Sequence, residues 1–515
     1  MSKPSRMLSS VFTVGSWTML SRIAGLIREV MIGAFLGAGP VADAFIAAFA
    51  LPNMFRRFFA EGAFNMAFVP MFAKKLEAGE NPLGFAKDAF SVMATLLLIL
   101  TLLAQLAMPA LVLAMNSGFY GDARFDMAVF FGRICFPYVF FISLAALLSG
   151  VLNAAGRFAA AAAAPVLLNI ILISTMASAY YLGFEIGHAL SWGVVVAGIG
   201  QLILVWKAAA NIGFRLTLKM PHISDDLKRL AIIALPAGMA AGVMQINLLV
   251  GRQVASYFDG AIAWLYYADR LYQLPLGVVG IAIGIVLLPD LARRLRAGDD
   301  AGGQDAFNRA TEFALLLTLP CAAGLLIIPE PIISVLFERG KFTAFDSTAT
   351  AAAVAVYGAG LPAFVMQKIL QPVYFARGDT KTPFYYALVS MVLNAGLAVG
   401  LSYYLGYLAA AMGTSLSSIA LAFMLWRGTA KMGDAAKIDD RLKRIAPRIL
   451  AATMVMSAAV YAMAVFMDDL LQIGGWRVAG LMALISTGVI SYFIAAYLLG
   501  ALPKEGLRAT LRRKG

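Results

Sequence analysis

Arginine and aspartate need explaining first, because they recur inside stretches that are otherwise apolar. The segment Ser21-Arg22-Ile23-Ala24-Gly25-Leu26-Ile27-Arg28-Glu29 carries three charges. Asp43, Arg56, Arg57 and Glu61 follow in the next apolar stretch, which Pro52 interrupts. Asp269 and Arg270 lie in Trp264-Leu265-Tyr266-Tyr267-Ala268-Asp269-Arg270-Leu271, and Arg133, Arg252 and Lys368 add basic groups elsewhere. A charged side chain at membrane depth costs about 2.5–3.5 kcal/mol on insertion scales, so it faces a cavity or a partner. Guanidinium forks bind phosphate oxygens bidentately, which suits a pyrophosphate. On a helix, Arg22 and Glu29 share nearly one face, with Arg28 turned by about a third of a circle. The pattern predicts an arginine-lined cavity for an anionic group, with Arg22, Arg28 and Arg270 in its wall. The competing reading is internal pairing, of Arg57 with Glu61 or of Arg28 with Asp43. For Arg57 and Glu61 pairing is the expectation. Arg133 and Arg252 fit a cavity or a snorkelling position equally.

No catalytic constellation accompanies these charges. There is no Gly-rich phosphate loop followed by Lys and Ser or Thr, so no ATPase signature. The acidic pairs Asp225-Asp226, Asp299-Asp300, Asp439-Asp440 and Asp468-Asp469 stand in loops beside basic residues and read as solvated. His188 and His222 are the only histidines, which excludes a histidine-rich metal site. Cys135 and Cys321 lie far apart in apolar stretches and suggest neither a disulfide framework nor zinc.

The surrounding elements follow from composition. Of 515 residues, 61% are hydrophobic and only 13% charged, with mean hydropathy +0.82. A soluble protein runs nearer half apolar and a quarter charged. The excess suits a chain whose solvent is a bilayer. The net charge of +13 would raise the question of nucleic acid in a soluble protein. Here the basic residues sit between apolar runs, which suits an anionic cytoplasmic leaflet instead.

A spanning helix needs about 20 apolar residues, and fourteen stretches qualify. They are 9–36, 41–72, 86–112, 127–153, 159–183, 188–210, 228–256, 261–291, 307–329, 346–375, 382–404, 406–430, 446–467 and 476–501. The first runs on past Arg22 and Arg28 and is expected to be a retained helix rather than a cleaved leader. Alternating the loops puts about 28 basic residues on one side and about four on the other, namely Arg124, Arg339, Lys341 and Arg477. That asymmetry predicts both termini on the cytoplasmic side. No soluble domain of useful size hangs off either face.

The chain also resembles itself at an offset of about 220 residues. Leu51-Pro52 leads to Pro70, the pair Lys74-Lys75 and Ala78-Gly79-Glu80. Leu274-Pro275 leads to Pro289, the pair Arg293-Arg294 and Ala297-Gly298-Asp299. Six spans per repeat give two lobes of the same orientation, related by an axis along the membrane normal. The expected fold is an all-α integral membrane protein. It has two pseudo-symmetric six-helix lobes, 1–215 and 226–432, two further helices within 443–501, and a basic tail, 502–515. Gly33-x-x-x-Gly37 permits close helix packing. Phe342 and Phe345 read as interface anchors.

The block Leu51-Pro52-Asn53-Met54-Phe55-Arg56-Arg57-Phe58-Phe59-Ala60-Glu61-Gly62-Ala63-Phe64 is specific. With Ser21 to Glu29, Ala42-Asp43-Ala44-Phe45, Tyr266 to Leu271, Gly340-Lys341-Phe342-Thr343 and Tyr374 to Pro383, it resembles the MurJ (MviN) family of lipid II flippases. The resemblance covers nearly the whole chain. It implies the multidrug/oligosaccharidyl-lipid/polysaccharide exporter fold. It also implies outward transfer of lipid II, the undecaprenyl-pyrophosphate-linked peptidoglycan precursor, across the bacterial inner membrane. The family's cavity residues carry over onto Arg22, Arg28, Asp43, Arg56 and Arg270, with Asp269 beside the last. The two extra helices are expected to form a groove for the lipid tail. Two positions depart from some relatives: Ala50 where they carry a base, and Gln273 where they carry an acid.

The expected partners are lipid II, membrane lipids and other cell-wall synthesis and division proteins, with no nucleic acid. No cofactor or metal is expected, with coupling to the membrane potential or to a monovalent cation. Asn247 and Asn394 are candidates to help hold such a cation, although helix–helix bonding is the plainer reading. The rival functions are an ion-coupled exporter of drugs or of another polyprenyl-linked oligosaccharide, a membrane enzyme on polyprenyl phosphates, and a non-transporting scaffold of cell-wall synthesis.

Overall fold

In lipid a backbone must satisfy its own N–H and C=O groups, so long apolar runs become helices. The computed structural model describes residues 3–56, 63–430, 433, 436–468, 471 and 476–502, and it contains no strand among them. The helices are α1 (Lys3–Leu36), α2 (Pro40–Arg56), α3 (Ala63–Ala78), α4 (Pro82–Met115), α5 (Ala123–Cys135), α6 (Tyr138–Ala154), α7 (Ala159–Leu182) and α8 (Ile186–Asn211). They continue with α9 (Asp225–Ser256), α10 (Ala261–Arg296), α11 (Asp300–Ile327), α12 (Pro329–Phe337), α13 (Ala344–Ala376), α14 (Lys381–Leu405), α15 (Leu408–Thr429), α16 (Asp440–Phe466) and α17 (Arg477–Leu498). Loop residues start several of them. The side chains of Asn81, Asp122, Ser224 and Asp439 accept from backbone N–H groups of the first turns of α4, α5, α9 and α16.

Ten spans among the described residues are long and apolar enough to cross a membrane. They are α4, α5 with α6, α7, α8, α11, α13, α14, α15, α16 and α17. Each corresponds to one expected stretch. The other four expected stretches fall on α1, on α2 and α3, on α9 and on α10. Of these α1, α9 and α10 have 34, 32 and 36 residues, beyond the length a crossing needs. The outward faces are apolar: Leu102, Leu103 and Leu106 of α4 are 58%, 59% and 81% exposed. Water would not tolerate such a face on a chain this size, and acyl chains do. The chain is a multi-pass membrane protein.

The chain forms two compact units. The first is Met1–Ala263 with Arg339–Thr343. In it α7 packs on α1 and α8, α6 on α8, α2 on α5, and α3 on α6 and α9. The short segment Arg339–Thr343 docks on the end of α1, where Lys341 N–H donates to Ala34 O at 2.8 Å. Gly340 (φ +61°) and Gly37 (φ +70°) make this possible. A Cβ on Gly340 would stand 2.1 Å from Ala34 O, and one on Gly37 2.5 Å from Lys341 O. Gly37 thus admits a loop, where the sequence pattern suggested a helix. Phe342, expected at an interface, is buried, whereas Phe345 is exposed.

The second unit is Trp264–Glu338 with Ala344–Gly515. Here α13 packs on α11 and α15, and α14 on α15. The helices α16 and α17 pair with each other and lean on α11. Ile449, Ala452, Met456, Leu484 and Ala496 form their shared core, against Leu315, Leu316 and Leu319. The Tyr492 hydroxyl donates to Leu316 O at 2.6 Å.

Candidate functional site

Arg28 is held from two sides. Its Nη1 donates to Asn169 Oδ1 at 2.8 Å, and its Nη2 donates to Glu29 Oε1. Asn169, buried on α7, also donates from Nδ2 to Ser21 O at 3.1 Å. One amide therefore grips α1 at two points two turns apart. Arg22 lies between them in sequence and is half-buried. Its guanidinium makes no hydrogen bond or ion pair among the described residues.

Asp43 does not pair with Arg28. It is 0% exposed, in the first turn of α2. Its Oδ2 accepts from Gly260 N and its Oδ1 from Ala263 N, both at 2.9 Å. These amides stand where α10 begins, so the carboxylate serves as that helix's N-terminal cap. Arg124 approaches the same Oδ2 at 3.4 Å. Arg124 also pairs with Asp122 at 2.5 Å and Asp259 at 2.8 Å, and its guanidinium lies 4.7 Å over the Phe119 ring. The backbone N–H of Arg124, before its side chain, holds the Asp122 carboxyl below the usual carboxylate range. Beside this cluster, Ser117 N and Oγ both donate to Gln253 Oε1 at 2.8 Å, and Gly118 N donates to Ser256 Oγ at 2.9 Å. The turn Ser117–Phe119 is thereby tied to the end of α9.

Arg56 closes α2, its Nε donating to Asn53 Oδ1 at 3.3 Å. The expected Arg57–Glu61 pair lies outside the described residues. Arg133 is exposed, and Arg252 is partly buried.

In the second unit, Asp269 accepts from Gln273 Nε2 one turn along α10 and interacts with the Tyr272 hydroxyl. Arg270 lies 4.6 Å over the Tyr266 ring. Gln273, which no sequence argument could place, is thus a partner of Asp269. An acid at that position would repel the carboxylate it now bonds. Asn394 is buried on α14 against Gly413 of α15, and the Asn247 side chain lies outside the described residues. Among the described residues no cluster of three His, Cys, Asp or Glu side chains could hold a metal.

A groove of about 770 Å³ runs along α17, with Val455 of α16 completing its wall. Val455, Ala483, Thr487, Ile490, Ile494 and Leu498 line it, and the lining is almost wholly apolar. It offers an acyl or prenyl chain a continuous surface but nothing that would select a headgroup.

The family model described as "Lipid II flippase MurJ" matches residues 32–475. The chain belongs to the MurJ family of lipid II flippases. It is 43% identical to a probable lipid II flippase MurJ of Rhizobium meliloti (strain 1021), over 97% of this chain and 95% of that one. It is 36% identical to the lipid II flippase MurJ of Burkholderia cenocepacia, over 75% and 76%. A solved lipid II flippase MurJ in an inward closed conformation superposes with TM-score 0.80 at 24% identity, covering 94% of this chain and 98% of that one. An inward-facing multidrug resistance MATE transporter superposes with TM-score 0.68 at 15% identity, covering 82% and 98%. These two likenesses establish the fold.

For a MurJ-family chain, the residues that sequence reasoning missed are Asn169 and Arg124. Neither sits in a recognisable motif. A single Asn in an apolar run signals only a polar contact somewhere, and Asp122-x-Arg124 in a loop signals only a turn.

Proposed function

We propose that this chain moves lipid II from the cytoplasmic to the periplasmic leaflet of the bacterial inner membrane, with both termini cytoplasmic. Family membership supports the substrate, and the asymmetry of basic loops supports the orientation. The observation that carries the mechanism is the pair of arginines on α1: Arg28 is held by an amide and a carboxylate, and Arg22 has no partner among the described residues. A pyrophosphate cannot cross hydrocarbon unaided, and guanidinium groups in a water-filled path lower that barrier. Arg56 joins them as a headgroup contact in this reading, and the second unit supplies its own candidate in Arg270, beside Asp269. Asp43 acts by holding the start of α10. The prenyl tail rides in the α16–α17 groove, which is apolar where the headgroup path is charged. The membrane potential, negative inside, is worth about 2.3 kcal/mol per charge per 100 mV and drives net negative charge outward. An exporter of cationic drugs would need open carboxylates, and Asp43 is fully buried on backbone amides.

The test is the accessibility of lipid II at the outer leaflet after depletion of the protein, with rescue by Arg22→Ala or Arg270→Ala. Depletion should abolish it, and neither variant should restore it although both accumulate normally. Normal flipping by both variants would remove the arginine mechanism, and unchanged lipid II on depletion would remove the substrate.

A further inference from the structure

We propose that Asn169 is a positioning residue that aims the Arg28 guanidinium at the anionic headgroup; the inference rests on the proposed role of Arg28. Three observations carry it. Asn169 is only 4% exposed on α7, so its amide must find partners within the protein. It finds both on α1: Oδ1 takes a hydrogen from Arg28 Nη1, and Nδ2 gives one to Ser21 O. Gly25 lies between the two anchor points, and a Cβ there would stand 3.7 Å from Asn169 Nδ2. A methyl group would fit at that distance, and a longer side chain would grow into the amide.

The chemistry selects asparagine. Arg28 offers a donor and the Ser21 carbonyl an acceptor, so the bridging group must accept at one end and donate at the other. A hydroxyl does both from a single oxygen, whereas a carboxamide accepts on Oδ1 and donates from Nδ2 and so spans two separate points. It is also neutral. Arg28 already has the Glu29 carboxylate as a counter-charge. A second carboxylate would cancel more of the positive charge on α1 and weaken its attraction for a pyrophosphate. Asn169 therefore orients the guanidinium without consuming its charge. It also registers α1 against α7, because its two bonds lie seven residues apart along α1. An arginine side chain loses much rotamer freedom when it binds, and holding it in place beforehand leaves less to lose.

The test uses the purified full-length protein and undecaprenyl pyrophosphate as the probe, with undecaprenyl monophosphate as the comparison. A hydrogen bond to a charged group is worth enough that Asn169→Ala should weaken pyrophosphate binding by about tenfold or more. Asn169→Asp, the same size but anionic, should weaken it further and should narrow the preference for pyrophosphate over monophosphate. Asn169→Gln, with the same groups on a longer arm, should recover part of the loss. In an Arg28→Ala background Asn169→Ala should have no further effect, because there is no guanidinium left to aim. If Asn169→Ala fails to purify as folded protein, the isosteric Asn169→Asp carries the comparison. Wild-type binding by Asn169→Ala, or an undiminished loss in the Arg28→Ala background, would overturn the positioning role. Wild-type binding by Arg28→Ala alone would overturn the reading beneath it, and the proposal with it.

Discussion

Replacing Asp43 separates a structural anchor from a substrate contact. The carboxylate has no exposed surface and takes two backbone N–H groups at 2.9 Å, from Gly260 and Ala263. Arg124 stands farther off at 3.4 Å and keeps Asp122 and Asp259 if Asp43 is lost. The cost of Asp43→Ala therefore comes from two buried amides left without acceptors. At about 1–3 kcal/mol each, that is about 2–6 kcal/mol. Asp43→Asn keeps one oxygen for one amide and turns an NH2 group toward the other donors, so it should cost about half as much. The assay is unfolding of the purified protein in detergent, with Arg22→Ala as the control. Arg22 has no side-chain bonds to lose among the described residues, so that variant should unfold within about 0.5 kcal/mol of wild type. The expected order is Asp43→Ala least stable, Asp43→Asn intermediate, and Arg22→Ala unchanged. Wild-type unfolding by Asp43→Ala, together with lost flipping, would refute the capping argument and return Asp43 to the headgroup path.

Two further expectations follow from packing. Gly340→Ala forces a Cβ to 2.1 Å from Ala34 O at a positive φ, and strain and overpacking at about 1–3 kcal/mol each should cost about 2–6 kcal/mol in the same unfolding assay. Ala483→Trp fills the α16–α17 groove, and should slow flipping of a full-length undecaprenyl substrate more than that of a short-chain analogue, measured in vesicles. Equal slowing of both would show that the groove does not hold the tail.

The sequence alone determined the elements and the chemical problem. Each of the ten apolar crossings was legible, because in a bilayer length and hydropathy decide a helix locally. Arg22, Arg28, Asp269 and Arg270 stood out for the same reason: a charge in an apolar run is conspicuous at any position. What each charge touches was decided only by the tertiary structure. Arg28 and Asp43 were a plausible pair by type, yet Arg28 bonds a residue 141 positions on, and Asp43 bonds amides 217 and 220 positions on. Gly37 announced a close approach, but that its neighbour is the segment Arg339–Thr343 depends on how distant parts of the chain fold back. Asn169 gave no signal and Arg124 only that of a basic loop residue, since a polar contact between distant segments leaves no periodicity in either one. Hydrophobic pattern is a property of neighbours in the chain, whereas polar pairing is a property of neighbours in space.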